Sequence, residues 1–80
     1  MKLPRDVSGA QLIQALRKLG YEPIRQTGSH VRLRTLQKGE HHETIPVHSP
    51  LKAGTLNAIL KNIAQHHEMS RDALLQLLNL

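Results

Sequence analysis

The chain has 80 residues, enough for one small domain, and 11 Lys+Arg against 6 Asp+Glu give it a net charge of +5. Cysteine, Phe and Trp are absent and Tyr21 is the only aromatic residue, which excludes disulfides, thiol catalysis, Cys-based zinc sites and an aromatic base-stacking platform, and leaves a core of Leu, Ile and Val. No apolar run approaches a membrane span and no signal-peptide pattern follows Met1, so a cytoplasmic protein with no membrane partner is expected. The basic excess lies in residues 1–61, with ten basic and four acidic side chains. It points to a polyanionic partner, or simply to a soluble surface.

Residues 1–7, with Pro4, read as a short, poorly ordered lead-in. Ser8-Gly9-Ala10-Gln11 has capping-box spacing and begins a helix. Leu12, Ile13, Leu16 and Leu19 give it one apolar stripe, and Gly20 ends it. A strand follows over Pro23–Thr27, with Ile24 expected inward and Arg25 and Thr27 outward. Gly28-Ser29 supplies a hairpin turn. The returning strand His30-Val31-Arg32-Leu33-Arg34 alternates, with Val31 and Leu33 on the core face and His30, Arg32 and Arg34 on the other. Gln37-Lys38-Gly39-Glu40 marks a second turn. A third strand is expected over Glu43–Val47, with Ile45 and Val47 inward and Thr44 outward.

Ser49-Pro50 breaks the sheet and is expected to begin the next helix, striped by Leu56, Ile59, Leu60 and Ile63. Ser70 caps a last short helix with Leu74, Leu75, Leu77 and Leu78. That helix is too short to stand alone and must dock on the domain or on a partner. The economical packing is α+β: a three-stranded antiparallel meander with helices on its one apolar face. The open face then carries Arg25, Thr27, His30, Arg32, Arg34 and Thr44.

That face sets one titratable ring beside fixed positive charges, which suits a phosphodiester. The plainer alternatives remain open: His30 as a solvated turn residue, and Arg32 and Arg34 as charges that prevent edge pairing. His41-His42 and His66-His67 read as surface residues. Neighbours on a strand point opposite ways, and no helical i, i+4 His pair exists, so no metal site is expected.

Four pieces, Leu19-Gly20-Tyr21, Gly28-Ser29-His30, Ile45-Pro46-Val47-His48 and Leu51-Lys52-Ala53-Gly54-Thr55-Leu56 with Ile59-Leu60-Lys61, resemble in order and spacing the HicA toxins of bacterial toxin–antitoxin systems. The likeness runs from about Ser8 to Lys61. It implies a double-stranded-RNA-binding-domain-like α-β-β-β-α fold, here one domain with a core of about 8–65 and a short C-terminal helix of about 70–79. It implies an mRNA interferase with His30 as the catalytic residue, Gly28 and Ser29 as its turn, and a HicB antitoxin covering the active face, with higher assembly through that antitoxin.

Such a site takes a proton from the 2′-OH; Arg32 and Arg34 stabilise the phosphoryl oxygens, Arg25 binds RNA beside them, and Lys52 and the start of the Leu56 helix add positive potential along the RNA backbone. It requires no metal or other cofactor. His48, in the Pro-x-His match, is either a second proton-transfer group or a structural residue holding the turn into the helix. The link Asn62–Met69 departs from the family pattern and implies a longer second helix. The rival readings are a non-catalytic RNA-binding module and a protein-interaction domain. The first keeps the basic face without needing His30; the second predicts no salt-dependent affinity for RNA.

Overall fold

A computed structural model describes residues 3–80. The first helix, α1 (Gly9–Leu16), closes with a 3-10 turn over Arg17–Leu19. The capping box is complete: Gln11 N donates to Ser8 Oγ at 3.0 Å and Ser8 N to Gln11 Oε1 at 2.8 Å. Gly20 stops the helix in the left-handed region (φ 80°). Three strands follow, β1 (Glu22–Thr27), β2 (His30–Thr35) and β3 (His41–Pro46), in the antiparallel order β1-β2-β3. Then come α2 (Ala53–His66) and α3 (Arg71–Leu78). This is an α+β fold consistent with a double-stranded-RNA-binding-domain-like arrangement.

β2 is the middle strand and sorts its residues cleanly. Val31, Leu33 and Thr35 are buried, while His30, Arg32 and Arg34 are exposed. Thr35 is the polar member of the buried row. Its hydroxyl donates to Leu19 O at 2.6 Å and accepts from Gln37 N at 3.1 Å, so its burial leaves nothing unsatisfied and ties the end of the first helix to β2. Leu12 and Leu16 from α1, Leu19 from the 3-10 turn after it, and Leu56, Ile59, Leu60 and Ile63 from α2 complete the core with Ile45.

Several expectations are corrected. Ile24 is 44% exposed, not inward. Every residue of this edge strand is exposed, including Pro23 and Gln26 opposite buried Leu33 and Val31, so β1 lies outside helix cover; the register also skips Ile24 in a bulge between Pro23 and Arg25. Tyr21, one turn of chain earlier, enters the core instead and is fully buried, so the core is not purely aliphatic. Strand β3 starts at His41 and ends at Pro46; Val47 lies beyond it, exposed. Helix α2 starts at Ala53, three residues after Pro50, because Leu51 first turns into the core and its amide donates to Val7 O at 2.8 Å. The same bond fixes Val7, itself buried, so the lead-in is ordered from there; Met1 and Lys2 lie outside the described residues. Helix α2 does run on past Lys61, to His66.

The short helix α3 docks on the domain. Leu74, Leu75 and Leu78 are buried, though Leu77 stays exposed. Ser70 caps its start, and Lys18 Nζ donates to Leu77 O and Leu78 O at 3.2 and 3.3 Å, placing a cation where the helix dipole favours one.

Three of the four paired histidines are structural rather than free on the surface. Tyr21 Oη lies 2.7 Å from His41 Nδ1 and 3.1 Å from His67 Nε2. His66 stacks on His41 at 4.4 Å, and its Nε2 faces Gln37 O and Gly39 O at 3.0 and 3.1 Å, joining the end of α2 to the β2–β3 turn. His67 is buried. Burial, helped by Glu43, pushes the Tyr21 phenol far above its usual range, so it stays a proton donor. Burial, then the neighbouring histidines, holds His41 and His67 below the ordinary histidine value, with Lys38 adding to the effect on His67.

Two outcomes follow from this packing. A Cβ on Gly9 would overlap Pro46 O and stand 2.9 Å from Val47 Cα, all backbone. Gly9→Ala therefore separates α1 from β3 and costs at least about 1–3 kcal/mol in a thermal or urea melt, despite the better helix propensity of alanine. Second, His41 and His67 bind protons less readily folded than unfolded. Stability is full above the unfolded value of about 6.5 and falls as pH drops through it. Glu43, its carboxyl raised by burial, acts with the opposite sign nearer the carboxylate range. The melting temperature should drop between about pH 7.5 and 5.5, and His67→Gln, which keeps a hydrogen-bonding group but does not titrate, should shrink that drop.

Candidate active site

The site begins at the β1–β2 turn. Thr27 and His30 pair across a two-residue loop, and Gly28 takes the left-handed conformation (φ 58°) that such a turn requires at its first central position. No atom stands within 4 Å of where a Gly28 Cβ would be, so backbone conformation alone selects glycine here. The turn is pinned from the other side, where Val47 N donates to Ser29 O at 2.6 Å. His30 is thus held at the first position of β2 on the uncovered face, with its ring exposed.

Register places the remaining residues. Arg32 lies opposite Arg25 on one side and Thr44 on the other, and His30 lies opposite Thr27 and Pro46. Arg25, Thr27, His30, Arg32 and Thr44 line one groove of about 240 Å³. Arg32 is oriented within it: Nε donates to His42 Nδ1 at 3.2 Å and Nη1 to Thr44 Oγ1 at 3.4 Å. His42 Nε2 then faces Glu40 Oε2 at 2.8 Å. Because Nδ1 accepts from arginine, the ring proton sits on Nε2 and is donated to the carboxylate.

A second groove of about 390 Å³ opens on the other side of His30, lined by His30, Pro46, His48, Leu51, Lys52 and Thr55. The His30 and His48 rings face each other with centroids 6.4 Å apart. Lys52 is the N-cap residue of α2, and no side chain caps that helix start. His30 is therefore shared by an arginine groove and a histidine–lysine groove. Among the described residues, no group of three or more His, Asp or Glu side chains could hold a metal ion.

Of the residues expected at the site, Arg25, Arg32, Lys52 and His48 surround His30, with Gly28 and Ser29 forming its turn. Arg34 shares the face but lies two residues further along β2, beside Glu22 and His42, outside both grooves. The sequence reading missed Thr55 and Leu51 as groove walls, and the Glu40–His42 support of Arg32. The alternation that put Thr44 on the open face also puts His42 there, so that signal was present.

A protein-family model described as the HicA toxin of bacterial toxin–antitoxin matches residues 9–65. No curated protein and no solved structure matches the chain. No helix among the described residues is long and apolar enough to cross a membrane. The matched span covers α1, the whole sheet and nearly all of α2, and so takes in both grooves beside His30. On that match the chain belongs to the HicA toxin family, with a toxin's role and a cognate antitoxin as its partner.

Proposed function

We propose that this toxin is a metal-independent endoribonuclease that cleaves mRNA in the cytoplasm, with His30 as a catalytic residue, and that a HicB antitoxin neutralises it by covering the open face. The observation that carries the reading is the position of His30. It is an exposed imidazole on the uncovered face of the sheet, between Arg25 and Arg32 on one side and Lys52 on the other.

RNA brings its own nucleophile. The 2′-oxygen attacks the adjacent phosphorus while its proton leaves, and the P–O5′ bond breaks as O5′ is protonated. Imidazole is suited to such transfers because both of its forms are accessible near neutral pH. The arginines supply charge for the phosphoryl oxygens, and Arg32 arrives already oriented by His42 and Thr44. DNA lacks the 2′-hydroxyl, so it is expected to bind without being cut. The exposed basic face suits an acidic surface on the antitoxin, which would compete with RNA for the same arginines.

His30→Ala separates this reading from a non-catalytic RNA-binding module. Cleavage of single-stranded RNA in chelator should fall by about 10²–10⁴-fold, with RNA affinity little changed and wild-type products ending in a cyclic phosphate. Unchanged cleavage in the variant, or activity that disappears with chelator, sinks the proposal. The arginine groove has its own test in the salt dependence of binding. Arg25→Ala and Arg32→Ala should each weaken RNA binding and flatten the plot of log affinity against log salt by about 0.7 per lost phosphate contact.

A further inference from the structure

We infer that His48 is the second proton-transfer group of this site, working with His30 across the groove that both rings line; the inference rests on the ribonuclease reading above. The chain has six histidines, and their surroundings divide them. His41 and His67 meet the Tyr21 hydroxyl. His66 is held by two carbonyls of the β2–β3 turn. His42 has both ring nitrogens engaged, by Arg32 and Glu40. The rings of His30 and His48 make no hydrogen bond among the described residues, and they face each other at 6.4 Å with planes 66° apart.

The structural duty at position 48 is carried by its backbone. His48 O accepts from Gly9 N at 2.9 Å, and Val47 N donates to Ser29 O at 2.6 Å. These bonds pin the chain on either side of the His48 α-carbon to α1 and to the turn that carries His30. Any side chain at this position would leave them in place, so holding the turn does not require an imidazole. What the imidazole adds is a proton carrier across the groove from His30.

Transphosphorylation needs two such carriers. One neutral ring takes the 2′-OH proton as the O2′–P bond forms. One protonated ring gives a proton to O5′ as the P–O5′ bond breaks. The products are a 2′,3′-cyclic phosphate and a 5′-hydroxyl, and the pair of rings ends with the same number of protons. Hydrogen bonds of about 2.8 Å to either side of a phosphoryl group set the two nitrogens roughly 7–9 Å apart, a span two exposed rings at this separation reach by rotating about their side-chain bonds. Lys52, in the same groove, is placed to meet the non-bridging oxygens. Glu43 is no substitute for His48, because it pairs with Leu33 and so lies on the helix-covered face.

The test uses one single-stranded RNA that the wild type cuts at a mapped bond, and the same RNA with sulfur replacing the 5′-oxygen at that bond. A thiolate leaves without help from an acid. His48→Ala and His30→Ala should each slow cleavage of the ordinary RNA by about 10²–10³-fold. On the sulfur-substituted RNA, one of the two variants, the one lacking the acid, should recover to within about tenfold of wild type, while the other stays slow. Both rings are exposed, so both variants should melt as the wild type does. Wild-type rates for His48→Ala with a slow His30→Ala overturn the second histidine alone, as does any other rescue pattern. A wild type that cuts no single-stranded RNA overturns the ribonuclease reading and this inference with it.

Discussion

The architecture depends on one close approach, where the start of α1 meets the chain leaving β3. Gly9 is buried against Pro46 and Val47 with no room for a side chain. Its amide donates to His48 O, Val47 N donates to Ser29 O, and Leu51 N donates to Val7 O. These bonds fasten the connection between β3 and α2 to the β1–β2 turn, to α1 and to the segment before it. Each satisfies backbone groups that partial burial would otherwise leave costly. The consequence for function is geometric. His30 follows the turn and His48 lies on the connection, so contacts that hold the fold together also bring the two residues to one groove.

The second constraint is the thinness of the domain. One layer of helices covers one face of the sheet at β2 and β3, and nothing among the described residues covers the other. On that bare face Arg25 stands directly opposite Arg32, and Arg34 follows along the same strand. Like charges directly opposite in a strand pair are destabilising, so the sheet carries this arrangement at a cost to its own stability. An anionic occupant relieves that repulsion. The Glu40–His42–Arg32 chain absorbs part of it meanwhile, holding one guanidinium in place without neutralising the face.

Strict local periodicity was legible in the sequence. The alternation from His30 to Thr35, the stripe of α2 and the Ser8–Gln11 box all appear as their residue types require, because each depends on neighbours a few positions away. Ile24 misled because the whole of β1 is an edge strand that the helices do not reach, so neither of its faces is buried, and a bulge beside it breaks the alternation as well; no local pattern marks either. Pro50 misled because proline is compatible with a helix start as well as with the turn it occupies, and burial of Leu51 decided between them. At the site, alternation placed His30, Arg32 and Thr44 correctly. The approach of His48 and Lys52 to His30 depends on tertiary contacts through Gly9 and Ser29, which no local pattern encodes.

The histidines show how surroundings, rather than residue type, decide role. On the helix-covered side, His41 and His67 meet the Tyr21 hydroxyl and burial favours their neutral forms, while His66 stacks on His41. There an imidazole serves as a compact ring that can both donate and accept, joining the end of α2 to the β2–β3 turn in a chain with little aromatic bulk. That join anchors β3 at its first residue, His41, while the Gly9 contact anchors the same strand at its last, Pro46. With both ends of edge strand β3 fixed, the sheet presents a preorganised face. The grooves beside His30 are then set before any ligand arrives, and binding need not supply the free energy of assembling them.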